Sequence, residues 1–336
     1  MSVDKITPDD PRVTHEYVVL NGHRYHYLLG VPKNGQYRAT IFLVHGWPDL
    51  SFGWRYQIPF FMDQGLRVVV PDQMGYGQTD APRVPPEDIS LYGFKRAADN
   101  MAELAKILNA PKIILGGHDW GGLIVYRFAQ WHPTLVTHVL SVCTPYLPPA
   151  DTYKPMEKVV PYLPQFGYQL QLAGPEPEAK IQSRESVSKF LSAMYGGRSP
   201  DGQFMFSPEK GIDFDIMNKS GKPLLLDETE LEYYTSEYMR SGMHGPLNWY
   251  RTREANFKDE LGLKNKNIDQ PVLFIAGTKD SVLKPEMSLG MEEFIPHLSR
   301  GEVATSHWAL TQAPKEVNEI VKGWLDNVVF GAKSSL

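Results

Sequence analysis

The sequence predicts an α/β chain: a mostly parallel sheet with helices on both faces, opened by an antiparallel hairpin and interrupted once by a long insertion. Three observations predict it. Short unbroken apolar runs recur in the first part of the chain, a helical pattern separates them, and the alternation lapses near Pro145 to resume at Val272. Strands covered on both faces read as continuous apolar runs, and strand–helix alternation marks a parallel sheet.

Glu16 to Leu29 form two strand-like runs around Asn21-Gly22, a dipeptide that accepts the positive φ of a tight hairpin turn. Thr40–Val44, Arg67–Pro71, Lys112–Gly116 and His138–Val142 are each too short for a helix and lack polar alternation, so they are expected as buried strands. Phe94, Ala97, Ala98, Met101, Leu104, Ala105 and Leu108 recur at helical spacing and predict a helix over Phe94–Leu108. From Tyr146 to Leu263 the chain is rich in Pro, Tyr, Met and Gly, shows weaker periodicity and has no buried-strand run. Three pieces are therefore expected: core over 1–145, a helical lid or cap over 146–263, and core again over 264–336. The last piece holds a strand at Val272–Ala276, a further segment near Gly301–Ala304 and an amphipathic helix after Pro314. A lid inserted there lies over the carboxyl edge of the sheet, where doubly wound folds bind ligands.

The net charge of −5 is spread along all 336 residues without a basic stripe, which argues against a nucleic-acid partner. A lone cysteine, Cys143, cannot form an internal disulfide, and it follows an apolar strand as a buried core residue would. Met1 to Arg12 is polar and unlike a signal peptide, and no apolar run of about 18 residues is present to span a membrane. A cytoplasmic location is the expectation; the terminal Ser334-Ser335-Leu336 only loosely resembles the peroxisomal Ser-Lys-Leu address. His23 and His26, three apart on a strand, face opposite sides and cannot share a metal. No other His/Cys spacing suggests zinc, and Asp72-Gln73-Met74-Gly75-Tyr76-Gly77 lacks the spacing of a dinucleotide loop, so neither metal nor cofactor is expected.

The chemistry centres on Ile113 to Leu123, which passes from strand to helix through glycines flanking Asp119. This is the nucleophile-elbow pattern with aspartate in the serine position. Gly117 and Gly121 leave room for a sharp bend, and the start of a helix over Trp120–Gln130 stabilises a negative charge. An ionised carboxylate needs no base to attack an sp³ carbon, but the ester it forms needs one to activate water. His307 in Ser306-His307-Trp308 supplies that base, and Asp280 in Gly277-Thr278-Lys279-Asp280 orients it. The chain order Asp119, Asp280, His307 is nucleophile, acid, histidine. Backbone N–H groups of Trp47, in His45-Gly46-Trp47-Pro48, and of Trp120 are placed to form an oxyanion hole.

These motifs, with Gly245-Pro246-Leu247-Asn248-Trp249-Tyr250-Arg251, resemble the soluble epoxide hydrolase family, the aspartate-nucleophile branch of the α/β-hydrolase fold. The likeness runs from about Glu16 to Leu325. It implies that Tyr250 and Tyr168, the latter in Phe166-Gly167-Tyr168-Gln169, point lid phenols at the epoxide oxygen. It also implies conversion of a small lipophilic epoxide and water into a vicinal diol through a covalent ester on Asp119, without a cofactor. Ser306 departs from the family, which commonly has glycine before the histidine. Some animal relatives carry a fused phosphatase domain; about 40 residues precede His45 here, so no phosphatase activity is expected. Two rivals remain at this stage. A haloalkane dehalogenase shares the elbow but needs halide-binding Trp or Asn side chains in place of phenols, and a ligand-binding or scaffold protein would keep the fold without turnover.

Overall fold

The computed structural model describes residues 3–331, so the Ser334-Ser335-Leu336 tail lies outside the described residues. Eight strands form the main sheet: β1 Val13–Leu20, β2 His23–Gly30, β3 Ala39–Val44, β4 Leu66–Pro71, β5 Ile113–His118, β6 Val136–Val142, β7 Val272–Gly277 and β8 Leu298–Val303. Their spatial order is β1-β2-β4-β3-β5-β6-β7-β8. β1 and β2 pair antiparallel, β2 joins β4 antiparallel, and every later pairing is parallel. Asn21 (φ 48°) and Gly22 (φ 87°) make the hairpin turn, both in the left-handed region that the Asn-Gly pair tolerates.

The central strands are apolar because helices cover both of their faces. β4 and β5 are buried at every position, and β3 at all but its first. The helix Phe94–Ile107 buries Phe94, Ala97, Ala98, Met101, Leu104 and Ala105, the face its periodicity marks. β8 begins at Leu298, ahead of the segment expected near Gly301, and alternates half-buried with exposed positions. It is an edge strand, paired with β7 alone, and carries no apolar run for that reason.

Between β6 and β7 the chain adds no strand to the main sheet. It folds mostly into helices, among them Tyr168–Ala173, Arg184–Met194, Glu228–Ser241 and His244–Asn248, with a small hairpin pairing Phe206–Ser207 with Gly211–Ile212. Two of these helices are more regular than the composition suggests, because local caps start them. Ser183 and Ser186 form one capping box and Asp227 and Glu230 another. The segment is tied to the sheet side by buried polar contacts. Asp49 accepts hydrogen bonds from the hydroxyls of Tyr195 (3.0 Å) and Tyr234 (2.5 Å), and Arg55 pairs with Glu230 at 2.8 Å.

Candidate active site

All the parallel strands end on one edge, and the loops leaving β3, β5, β7 and β8 there carry Trp47, Asp119, Asp280 and His307. The turn after β5 is the most constrained of them. Asp119 sits at φ 55°, ψ −124°, a region that strongly favours glycine, and its neighbours make the bend possible. A Cβ on Gly121 would lie 2.1 Å from the Val44 carbonyl oxygen, and one on Gly117 would lie 2.3 Å from the Gly121 oxygen. Thr144 Oγ1 donates to the Asp119 carbonyl (2.8 Å), holding the turn from β6.

Asp119 precedes the helix Trp120–Trp131, yet its carboxylate does not cap it. Instead Oδ1 accepts the Trp47 N–H at 2.8 Å, and Oδ2 lies 3.4 Å from His307 Nε2. Trp120 opens the helix, so its N–H is one of the first-turn donors that the helix leaves unused. A side chain on Gly46 would fill this space, since its Cβ would stand 2.3 Å from Asp119 Oδ1.

His307 is held from three directions. Its Nδ1 donates to Asp280 Oδ2 at 2.8 Å, while Asp280 Oδ1 accepts the N–H groups of Val282 and Leu283. The His307 carbonyl accepts His118 Nε2 at 2.8 Å and the Cys143 thiol at 3.4 Å. The sequence does not single out His118 for this task. The available signal is a polar residue ending an otherwise apolar strand, since a buried imidazole needs a partner. Cys143 is buried as expected, but at φ 64° and against the histidine loop. Ser306 also bonds locally: its N–H and hydroxyl both donate to Gln312 Oε1.

Charge in the site is strongly coupled. Burial alone pushes the His307 imidazole down, but the Asp280 charge, with the bonds to Asp119 and Asp280, outweighs burial and holds it up at about 10. Against the same burial, His307 keeps Asp119 and Asp280 below the usual carboxylate range. His118 is pushed down by burial and by its charged neighbour, so it stays a neutral donor. The resting site is thus one imidazolium between two carboxylates. Because the folded pKa of His307 lies above its ordinary 6.5, its stabilisation is complete below pH 6.5 and is lost as the pH rises towards about 10. The difference in thermal midpoint between the natural chain and His307→Gln should accordingly be widest near pH 6 and shrink towards pH 10. A difference that grows with pH contradicts the ion pair.

Across from Asp119 stand two buried phenols. The rings of Tyr168 and Tyr250 meet edge to face at 5.9 Å, and Tyr250 rests against Trp47 (5.5 Å) and Trp120 (5.3 Å). Burial, reinforced by the Asp119 charge, pushes both hydroxyls above the ordinary tyrosine range, so both keep their protons. A cavity of about 420 Å³ is lined by Trp47, Asp119, Tyr168, Tyr250, His307 and Trp308, with apolar walls from Met194, Phe204, Leu225 and Val282. A second, of about 200 Å³, borders Asp119, Trp120 and Tyr168 from the helical side. All seven residues expected from sequence therefore converge here, with Asp280 behind His307 and away from the cavity wall. Among the described residues there is no cluster of three or more metal-ligating side chains, and no helix is long and apolar enough to cross a membrane.

The strand order and the elbow define an α/β-hydrolase-fold enzyme, and residues 39–314 match the family model of the alpha/beta hydrolase fold. The chain is 40% identical to epoxide hydrolase srdG of Neurospora crassa, over 97% of this chain and 99% of that one. It is 35% identical to bifunctional epoxide hydrolase 2 of Rattus norvegicus, over 95% of this chain and 56% of the rat protein. The crystal structure of epoxide hydrolase A from Mycobacterium thermoresistibile superposes with a TM-score of 0.79 at 28% identity, covering 94% of this chain and 98% of that one. The chain belongs to the epoxide hydrolase family.

Proposed function

We propose that this enzyme converts lipophilic epoxides to vicinal diols through an ester on Asp119. One observation carries the reading: an ionised carboxylate and two protonated phenols face each other across one largely apolar cavity. An epoxide needs a nucleophile behind its carbon and an acid at its oxygen. In this reading Asp119 Oδ attacks a ring carbon, the C–O bond breaks, and the electron pair passes to the epoxide oxygen, which takes a proton from Tyr168 or Tyr250. Residues 146–263 act as the lid that carries both phenols and keeps bulk water out.

Esterification removes one of the two negative charges that hold the proton on His307. The imidazole then yields that proton through solvent to restore the phenol, and becomes a free base. It deprotonates water attacking the Asp119 carbonyl carbon, while the Trp47 and Trp120 N–H groups hold the tetrahedral oxyanion. Collapse expels the diol, whose oxygen takes the proton from His307, and the new Asp119 carboxylic acid gives its own proton back to the imidazole. Single turnover in heavy-oxygen water tests the sequence of bonds: label should appear in the Asp119 peptide, with an unlabelled first diol. A labelled first diol and an unlabelled Asp119 peptide would overturn the ester route.

A further inference from the structure

We infer that Arg251 is a positioning residue that sets the distance between the two phenols. This rests on the proposed role of those phenols as acids. Arg251 follows Tyr250 directly in the chain, but its side chain reaches the other end of the helix that Tyr168 begins. Its Nε donates to the Ala173 carbonyl at 3.0 Å and its Nη2 to the Gly174 carbonyl at 3.1 Å, where the helix Tyr168–Ala173 ends. The third nitrogen, Nη1, donates to Asn248 Oδ1 at 2.8 Å, within the turn that leads into Tyr250. One planar guanidinium thereby joins the backbone that carries Tyr168 to the backbone that carries Tyr250.

Arginine suits this task better than any other side chain. The last carbonyls of a helix have no partner within it, and a cation placed there also meets the negative end of the helix dipole. Three donors in a fixed fork bond three acceptors at set angles, which the point charge of lysine cannot do. The joint is partly buried, with the side chain 22% exposed, and Glu178 stands 3.7 Å from Nη2 to balance the charge. The helix is only six residues long and would hold its place poorly alone. Its other attachments lie elsewhere: the Tyr168 N–H donates to the Pro208 carbonyl (2.9 Å), and the Gln171 side chain bonds both backbone groups of Ile212 (2.6 and 2.9 Å). These contacts bind it to the small hairpin, whereas the Arg251 guanidinium ties its far end, away from the phenol rings, to the segment of the second phenol.

The consequence is selective. Loosening the joint displaces one phenol relative to the other and slows ring opening, which needs an acid at the epoxide oxygen. It leaves ester hydrolysis, which uses His307 and the Trp47 N–H, untouched. Pre-steady-state measurement on styrene oxide separates the two steps. For Arg251→Met, ester formation should fall on the order of 50-fold, the scale of an ångström-level misplacement, with ester hydrolysis changed less than about twofold. Arg251→Lys should recover part of the loss. In a Tyr168→Phe background the effect of Arg251→Met should shrink to about threefold or less, because the group it positions is gone.

Additive losses in that double-variant cycle, or equal slowing of both steps, would make Arg251 a merely structural residue and overturn the inference. So would an unchanged rate of ester formation in Arg251→Met alongside a slowed Tyr168→Phe. Full-rate ester formation in both Tyr168→Phe and Tyr250→Phe is a different result, because it removes the phenols as acids and with them the reading on which the inference stands.

Discussion

Asp119→Ala should abolish epoxide turnover, with a loss of at least about 10⁴-fold, the scale seen when a nucleophile that forms a covalent intermediate is removed. The size follows from what would remain. His307 and the phenols persist, but no other carboxylate among the described residues lines this cavity. The Ser281 and Ser306 hydroxyls on its wall would each need a base to attack, with Ser306 already donating to Gln312. The variant should still fold. Alanine keeps the positive φ of the turn, whose cost is about 1–3 kcal/mol in either chain, and Thr144 still bonds the carbonyl at this position. Hydrolysis of styrene oxide by the purified variant, with thermal unfolding to show an intact fold, is the measurement. An undiminished rate would end the account of Asp119 as nucleophile.

His307→Gln should behave differently, stopping the cycle halfway. Ring opening needs the Asp119 carboxylate and a phenol, both present in this variant, whereas ester hydrolysis needs a base, which glutamine is not. The expected result is a burst of one epoxide consumed per chain, then steady turnover slowed by about 10³-fold, within the range a general base contributes. Intact-mass analysis should find the protein heavier by one substrate, and digestion should place the addition on the peptide containing Asp119. Slow turnover with neither burst nor adduct would count against an ester intermediate.

These expectations draw on residues of unequal legibility in sequence. The elbow at Asp119 was plain because its requirements are local: glycines two residues either side, an apolar strand before and a helix after. The central strands were plain because burial on both faces leaves no polar position to confuse the pattern. β8 was hard to bound, since an edge strand mixes polar with apolar residues. In the inserted segment the helices are short or begin at caps, so apolar spacing says less than the capping boxes at Ser183 and Asp227. Tyr250 and Tyr168 stand out by resemblance alone, because nothing local marks two of 17 tyrosines as facing a carboxylate. His118 and Asp49 stayed hidden for a related reason: their partners His307 and Tyr234 lie 189 and 185 residues away, and only the folded chain brings them together.

The pair of hydroxyls on Asp49 has a bearing on how substrate reaches the cavity. A hinge motion that lifted the helical segment away would strip both donors from a carboxylate that is 5% exposed and part the Arg55–Glu230 pair beside it. Separating a buried ion from its partners costs on the order of 3–5 kcal/mol, a heavy toll on every catalytic cycle. If the proposed chemistry holds, the helical segment is expected to stay fastened, and exchange of epoxide and diol to depend on side-chain movement at the lining, where Phe204 and Met194 stand. Truncating Phe204 should then change substrate entry more than loosening the backbone does.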